Sequence, residues 1–200
     1  ERAAVLIPND ESVHSYLGLA FDALGRQDEA LNQFKRAAQL NPDSERVLNF
    51  LAQSLMKQKQ VPEAVALYQR ILVLKPDSVV GHNNLALALW ELKDYSSARR
   101  HFEAALAIDP ADVGVLTNLA TLLGEQGSIS DAIALFQRAI HLQPQDAATR
   151  GQLANLLAKT GKISDAIGHF KVAIADNPDD SELRANLARA HLSVGAFAAA

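Results

Sequence analysis

Proline recurs along this chain at a constant interval of 34 residues. Six of the seven prolines follow this interval and only Pro62 does not: Pro8, Pro42, Pro76, Pro110, Pro144 and Pro178. A 34-residue period sustained along a chain indicates a stack of identical supersecondary units, because one such unit buries its apolar face only against its neighbours. The spacing therefore predicts a solenoid with a ribbon-like core.

The repeat register divides the whole chain when each unit starts three residues after its proline. Five complete repeats are predicted at residues 11–44, 45–78, 79–112, 113–146 and 147–180. Residues 1–10 are predicted to be the end of a preceding repeat and residues 181–200 a truncated one, so that residues 1–200 form a single array. Terminal repeats normally carry a polar capping face, which is absent here. We therefore expect part of a longer protein, with apolar ends that stack on another molecule.

Four positions of the repeat carry the same kind of residue in every complete copy. Position 7 is leucine, position 8 is glycine or alanine, position 20 is alanine and position 24 is aromatic. The aromatic series reads Phe34, Tyr68, Phe102, Phe136 and Phe170. Small residues let helix backbones approach closely, and the leucine and aromatic side chains fill the remaining space at interior density.

Each repeat is predicted to contain two helices, which we call A and B. Helix A should run over positions 1 to about 14, behind a residue whose side chain caps free backbone N–H groups. These caps are Asp10, Ser44, Ser78, Asp112, Asp146 and Asp180. The proline two residues before each cap ends the preceding helix B. The turn from A to B is predicted at Gly25, Lys59, Lys93, Gly127, Gly161 and Gly195, and Pro62 falls in the first turn of a helix B.

This pattern resembles the tetratricopeptide repeat, a helix–turn–helix unit of 34 residues, over essentially the whole chain. The resemblance implies an all-α fold, a right-handed α-solenoid superhelix of antiparallel helix pairs. It also implies a concave groove lined by positions 2, 5, 6, 9, 12 and 13 of helix A. The family often has tryptophan at position 4, where this chain has His14, Leu48, His82, Leu116, Arg150 and Arg184. A composition dominated by alanine and leucine favours a bacterial source.

A row of polar side chains is predicted to line this groove in the C-terminal repeats. Amide side chains donate and accept hydrogen bonds, so a row of them can hold the backbone of an extended peptide. A similar asparagine ladder lines the superhelix of O-linked N-acetylglucosamine transferases. The alternative is that these amides only stabilise the stack. The residues are Asn83, Asn84, Asn118, Thr121, Gln152, Asn155, Asn186 and Arg189.

Aromatic and apolar side chains take the equivalent groove positions in the N-terminal repeats. Tyr16 and Phe50 stand at position 6, and Met56 and Trp90 stand at position 12. An exposed patch of this kind is typical of a binding site. The alternative is that these side chains pack between successive A helices.

Composition argues against several classes of function. A net charge of −4 and a pI near 5.8 argue against nucleic-acid binding. No stretch approaches the roughly 20 apolar residues that span a membrane. The chain has no cysteine, which excludes disulfides and thiol catalysis. That absence leaves the compartment open, and we favour the cytoplasm over the periplasm.

No set of residues with the spacing of a catalytic or metal site is visible. The six histidines never pair at i+3 or i+4, and no nucleophile stands with a base and an orienting residue in a recognisable set. The basic residues of the clamp that binds chaperone tails are also missing. We therefore expect a non-enzyme without metal or cofactor.

Repeat and groove together predict a protein–protein interaction scaffold that binds a peptide or helix segment of a partner in the concave groove. Two alternatives stay open. The chain can be the substrate-recruiting arm of a larger enzyme, such as an O-linked glycosyltransferase, or a structural module that self-associates through its ends.

Overall fold

The computed structural model describes residues 10–198, with side chains for residues 10–194. Within this range the chain forms eleven α-helices and no strand. No helix among these residues is both long enough and apolar enough to cross a membrane. The helices are α1 Glu11–Ala23, α2 Gln27–Leu40, α3 Glu45–Lys57, α4 Val61–Leu74, α5 Val79–Glu91, α6 Tyr95–Ile108, α7 Val113–Glu125, α8 Ile129–Leu142, α9 Ala147–Lys159, α10 Ile163–Asp176 and α11 Ser181–Ala198.

Every A helix begins directly after its predicted cap. In all six cases the Asp or Ser side chain accepts a hydrogen bond from a backbone N–H of the first turn. Each such bond satisfies one N–H that lacks a partner within the helix and stabilises the protein by about 1 kcal/mol. The capping prediction is confirmed, as is the place of Pro62 in the first turn of α4.

The turn between A and B requires a left-handed backbone. The residue there has a φ of 72° at Gly25, 83° at Gly127 and 83° at Gly161, and the two lysines adopt 61° and 64°. Lysine carries a Cβ and is strained in this region, whereas glycine is not. The turn predicted at Gly195 is wrong, because α11 continues through this residue to Ala198. Glycine permits the left-handed conformation but does not impose it.

The chain divides into two compact units, which we call unit 1, ending at Ile108, and unit 2, beginning at Asp109. In unit 1, α1 packs on α2, α3 on α4 and α5 on α6, and each pair packs on the next. In unit 2, α7 packs on α8 and α9 on α10, and α11 packs on α10. Each unit is thus an all-α solenoid of stacked helix pairs. The predicted end of a preceding repeat lies, except for Asp10, outside the described residues.

The invariant positions form the core. The position-20 alanines from Ala30 to Ala166 are fully buried, and none of the position-24 rings is more than 3% exposed. Gly18 replaces alanine at position 8 because the ring of Phe34 lies over it. A Cβ added to Gly18 would lie 2.5 Å from a carbon of that ring. The repeat therefore tolerates only the smallest residue at this point.

Candidate functional site

The six predicted groove residues of unit 2 lie on its three A helices. We call the surface that they form the groove face. Each of the six is exposed or half-buried, although leucine and alanine neighbours on α7 and α9 are buried. The groove face consists of Asn118 and Thr121 on α7, Gln152 and Asn155 on α9, and Asn186 and Arg189 on α11.

Hydrogen bonds connect members of the groove face. The Thr121 hydroxyl lies 3.3 Å from Oε1 of Gln152 on the next A helix and 2.9 Å from the carbonyl oxygen of Thr117. The Arg189 guanidinium donates to Oδ1 of Asn186. These contacts orient the polar side chains before any ligand arrives, which lowers the entropy lost on binding.

Three adjoining pockets lie along the groove face. Pocket I, of about 550 Å³, is lined by Asn118 and Gln152. Pocket II, of about 240 Å³, is lined by Thr121, Gln152 and Asn155. Pocket III, of about 220 Å³, is lined by Asn155, Asn186 and Arg189. Consecutive pockets share a residue, so all six groove residues border one continuous row of concavities.

Pockets II and III have apolar floors formed by residues that the sequence did not single out as functional. Phe136 forms part of the floor of pocket II beside Gly124, and Phe170 forms part of the floor of pocket III beside Ala158. Both small residues occupy position 12 of their repeats and line the same pocket as the position-24 ring. A side chain without atoms beyond Cβ at this position leaves room for the pocket.

The same position carries a large apolar side chain in the second and third repeats of unit 1, whereas in the first it is Asp22, which pairs with Lys57. Trp90, at position 12 of its repeat, meets Phe102 edge-on with ring centroids 6.3 Å apart and an interplanar angle of 87°. Met56, at position 12 of the repeat before, packs against the core of unit 1. The sequence signal for the two pockets was therefore present in the series Met56, Trp90, Gly124 and Ala158.

Charge is unevenly distributed along the groove face. Among the residues whose side chains are described, pocket III is lined by the cations Lys159 and Arg189 and by no carboxylate. Lys159 also lines pocket II, where Glu125 lies at the rim as well. Both cations are exposed. The C-terminal end of the row is therefore suited to a negatively charged group.

The predicted groove amides of unit 1 bond to each other. Asn84 donates through Nδ2 to Oδ1 of Asn49 at 2.8 Å, and its own Oδ1 accepts from Nδ2 of Asn83 at 3.1 Å. All three are half-buried. Asn49 belongs to the preceding repeat, so this chain of amides connects two successive A helices within unit 1.

The three predicted aromatic residues differ in exposure. Phe50 is half-buried, with its ring centroid 5.6 Å from that of Phe34. Trp90 is also half-buried against Phe102. Tyr16 is 64% exposed. Two of the three thus make interior contacts, and only Tyr16 presents most of its surface to solvent.

Histidines come together across a helix pair, not within one helix. His82 on α5 and His101 on α6 have Nδ1 atoms 3.0 Å apart, and Nε2 of His82 lies 3.1 Å from the carbonyl oxygen of Pro76. They occupy positions 4 and 23 of one repeat, as do His14 and Gln33, which are joined at 2.7 Å. Burial lowers the pKa of His101, and the nearby His82 and Arg100 lower this pKa further. Within residues 10–198, no three His, Asp or Glu side chains are grouped to hold a metal ion.

Two family models described as tetratricopeptide repeat match the chain. One matches residues 89–148 and 123–171, and the other matches residues 17–79 and 152–200, more than half of the chain. No curated protein matches the chain at a significant level.

Solved structures of several proteins are similar to this chain. A thermophilic TPR protein of Thermus thermophilus is 25% identical with a TM-score of 0.78, over 92% of this chain and 100% of that chain. PilF of Pseudomonas aeruginosa is 18% identical with a TM-score of 0.75, over 94% of this chain and 91% of PilF. YrrB is described as a TPR protein with an unusual peptide-binding site. It is 15% identical with a TM-score of 0.63, over 91% of this chain and 94% of YrrB. At their low identities, the last two show the fold alone.

Proposed function

The chain belongs to the tetratricopeptide repeat family of protein–protein interaction scaffolds, and we propose that its groove face binds an extended peptide segment of a partner protein. The observation that carries this proposal is that all six groove residues of unit 2 line one row of three adjoining pockets. Proteins of this family are generally non-catalytic, and we propose that this chain likewise acts by binding.

The chemistry of the row fits an extended peptide. An extended segment exposes backbone N–H and C=O groups that need partners when they leave water. The amides of Asn118, Gln152 and Asn186 both donate and accept, so they suit either group whatever the peptide sequence. The pockets between them receive side chains, as in other modes of peptide recognition. The peptide-binding site described for YrrB supports the proposal by analogy of fold.

A peptide-display experiment tests the proposal. Random dodecapeptides would be selected on the immobilised chain, and the dissociation constants of enriched peptides measured by fluorescence anisotropy. The test variant is Asn118→Ala/Gln152→Ala/Asn186→Ala. The matched control removes three exposed amides from B helices, Asn32→Ala/Gln69→Ala/Gln137→Ala. Circular dichroism melting would confirm that both variants fold.

We expect the groove variant to bind selected peptides at least about tenfold more weakly, because each lost hydrogen bond removes about 0.5–1.5 kcal/mol. The control variant should bind like the parent. The proposal is wrong if no peptide is enriched, or if both variants bind equally well. Concentration-dependent association of the chain, measured by light scattering, would then favour a self-assembling module.

We also propose that the chain is a single array of repeats. The caps Ser78, Asp112 and Asp146 keep the 34-residue interval across the border between the two units. The single tryptophan, Trp90, lies in unit 1, whereas far-ultraviolet circular dichroism reports on all helices. Coincident urea transitions from the two signals would support one cooperative array. Separate transitions would show two independent domains.

A further inference from the structure

We infer that the peptide held by the groove face places an apolar side chain in pocket II and an acidic side chain, about three residues away, against Lys159 and Arg189 at pocket III. This inference rests on the proposed function and adds the chemical class of the ligand. It makes Gly124 the residue that determines specificity at pocket II.

The lining of pocket II is suited to an apolar side chain. Ala120, Phe136 and Leu156 form its inner part and are at most 9% exposed. Polar groups lie mainly at the rim, where Thr121 and Gln152 are bonded to each other. An apolar side chain entering the pocket would remove its own surface and that of the floor from water, which favours binding.

Gly124 is not required by the backbone at its position. It lies within α7, and it is not among the left-handed glycines of this chain. A helical glycine costs stability relative to alanine, so a reason other than conformation is needed. A Cβ at this point would lie 3.1 Å from Cδ1 of Leu156, which is closer than ordinary van der Waals contact, so a larger residue would have to displace this flexible side chain of the pocket. The equivalent residue in the preceding repeat is Trp90, whose side chain meets the position-24 ring edge-on.

Charge complementarity specifies the second side chain. Lys159 lies between pockets II and III and lines both, and Arg189 lines pocket III. A carboxylate can bond to the guanidinium through two oxygens and to the ammonium as a point charge. We assign this carboxylate to an Asp or Glu side chain, and comparing amidated with free-acid peptides distinguishes it from a peptide C-terminus.

The spacing follows from the helix that separates the pockets. Pocket II lies between α7 and α9, pocket III lies between α9 and α11, and α9 contacts both of the other helices. Packed helices are about 8–10 Å apart, and an extended chain rises about 3.3 Å per residue. About three residues therefore separate the apolar side chain from the acidic one.

The test uses C-terminally amidated peptides from the display selection, so that no free terminal carboxylate contributes. The affinity of each peptide is compared with that of the same peptide carrying alanine in place of its apolar residue. Both peptides are measured with the wild-type chain and with the Gly124→Met variant. This substitution introduces the residue found at position 12 two repeats earlier. We expect the alanine peptide to bind the wild type roughly tenfold to hundredfold more weakly. With Gly124→Met, the same replacement should change affinity less than about twofold, because the pocket is already filled.

A charge exchange tests the acidic residue separately. Lys159→Glu/Arg189→Glu should weaken binding of the parent peptide, and a peptide with Lys in place of its acidic residue should recover affinity for this variant. The control Lys171→Glu, an exposed cation on α10, should leave the affinity of the parent peptide unchanged. A free-acid form that binds much more tightly than the amidated form would show that a C-terminal carboxylate is the real ligand.

The outcomes distinguish the inference from the function on which it rests. Absence of any enriched peptide, or insensitivity to the groove amides, contradicts the proposed function. Peptides that need the groove amides but show no apolar residue, no acidic residue, or no effect of Gly124→Met overturn the inference alone. If Gly124→Met does not fold, a second measurement replaces it. The affinity of the wild-type chain is then measured for peptides with Ala, Val, Leu or Phe at the apolar position. Affinity that does not rise with the size of the side chain overturns the inference.

Discussion

Units 1 and 2 are built from the same repeat but use position 12 of helix A differently. In unit 1, Trp90 lies edge-on against Phe102 and Met56 packs on the core. In unit 2, Gly124 and Ala158 leave the rings of Phe136 and Phe170 at the floor of pockets. The rings themselves are buried in both units, so the difference lies beside them: a large side chain at position 12 in the second and third repeats of unit 1, and a pocket in unit 2.

Unit 1 also has ion pairs between its successive repeats. Three of these are Arg46 with Glu11 at 3.1 Å, Lys57 with Asp22 at 2.5 Å, and Lys59 with Glu91 at 3.0 Å. All three cations are exposed, and exposed pairs contribute about 0–1 kcal/mol each. The exposed ion pairs therefore contribute little to the difference in stability between the units.

The largest expected effect comes from truncating the position-24 ring in each unit. Phe102→Ala should destabilise the protein by about 3–5 kcal/mol, because it leaves a cavity and removes the partner of Trp90. Phe136→Ala should fall near the lower end of that range, because its ring already borders an open pocket. Urea denaturation measures the free energy of unfolding of both variants. An equal or larger loss of stability for Phe136→Ala would contradict the difference in packing around the two rings.

A pair of glycine substitutions should have opposite signs in the two units. In Gly18→Ala the new Cβ would meet the ring of Phe34 in unit 1, so we expect a loss of about 1–3 kcal/mol from overpacking. Gly168→Ala lies on α10 of unit 2, where a Cβ meets no atom within 4 Å, so we expect a gain of up to about 1 kcal/mol. Thermal melting of both variants is the check. A neutral Gly18→Ala would mean that the ring of Phe34 moves aside freely.

Exchanging the turn residues should move stability by smaller amounts. Lys93→Gly in unit 1 relieves a left-handed lysine and should stabilise by about 1 kcal/mol. Gly127→Lys in unit 2 imposes the same strain and should destabilise by a similar amount. Chemical denaturation of the two variants and of their double mutant measures the change in the free energy of unfolding that each substitution causes. The two effects should cancel within error in the double mutant if the turns are equivalent.

The smallest expected effect is a dependence of stability on pH. Burial lowers the pKa of both His101 and His169 below the ordinary value of 6.5. The unfolded chain therefore binds more protons near pH 6, so stability is lost as the pH falls below about 6.5. His101→Gln should lessen this loss more than His169→Gln, because the nearby Asp165 opposes the shift at His169. Melting temperatures between pH 7.5 and pH 5 test this order. A larger effect of His169→Gln than of His101→Gln would show that the prediction is wrong.

Most of the fold was predictable because its determinants are local and repeat in register. Six caps located six helix starts, since a capping side chain bonds within one turn of its own helix. The turn at Gly195 was mispredicted because a glycine permits either continuation or termination, and the choice depends on packing that the repeat pattern does not encode. Residues such as Gly18 show the same limit, because only the position of the Phe34 ring explains why alanine is excluded.

The candidate site was predictable only in part. The polar residues of the groove face follow from the repeat register, but the pockets depend on what is missing above Phe136 and Phe170. The contact between His82 and His101 joins positions 4 and 23 on two different helices, so a search within single helices could not find it. The half-burial of Phe50 and Trp90 likewise depends on partner rings that the spacing of the repeats does not identify.

The independence of position 12 has a consequence for how this protein can change over time. Its side chain neither caps a helix nor sets the approach of two backbones, tasks that belong to positions 34, 8 and 20. A substitution there changes the size of one pocket, and at Gly124 it requires the side chain of Leu156 on the next A helix to move. Duplicated repeats can therefore come to differ in their pockets one repeat at a time.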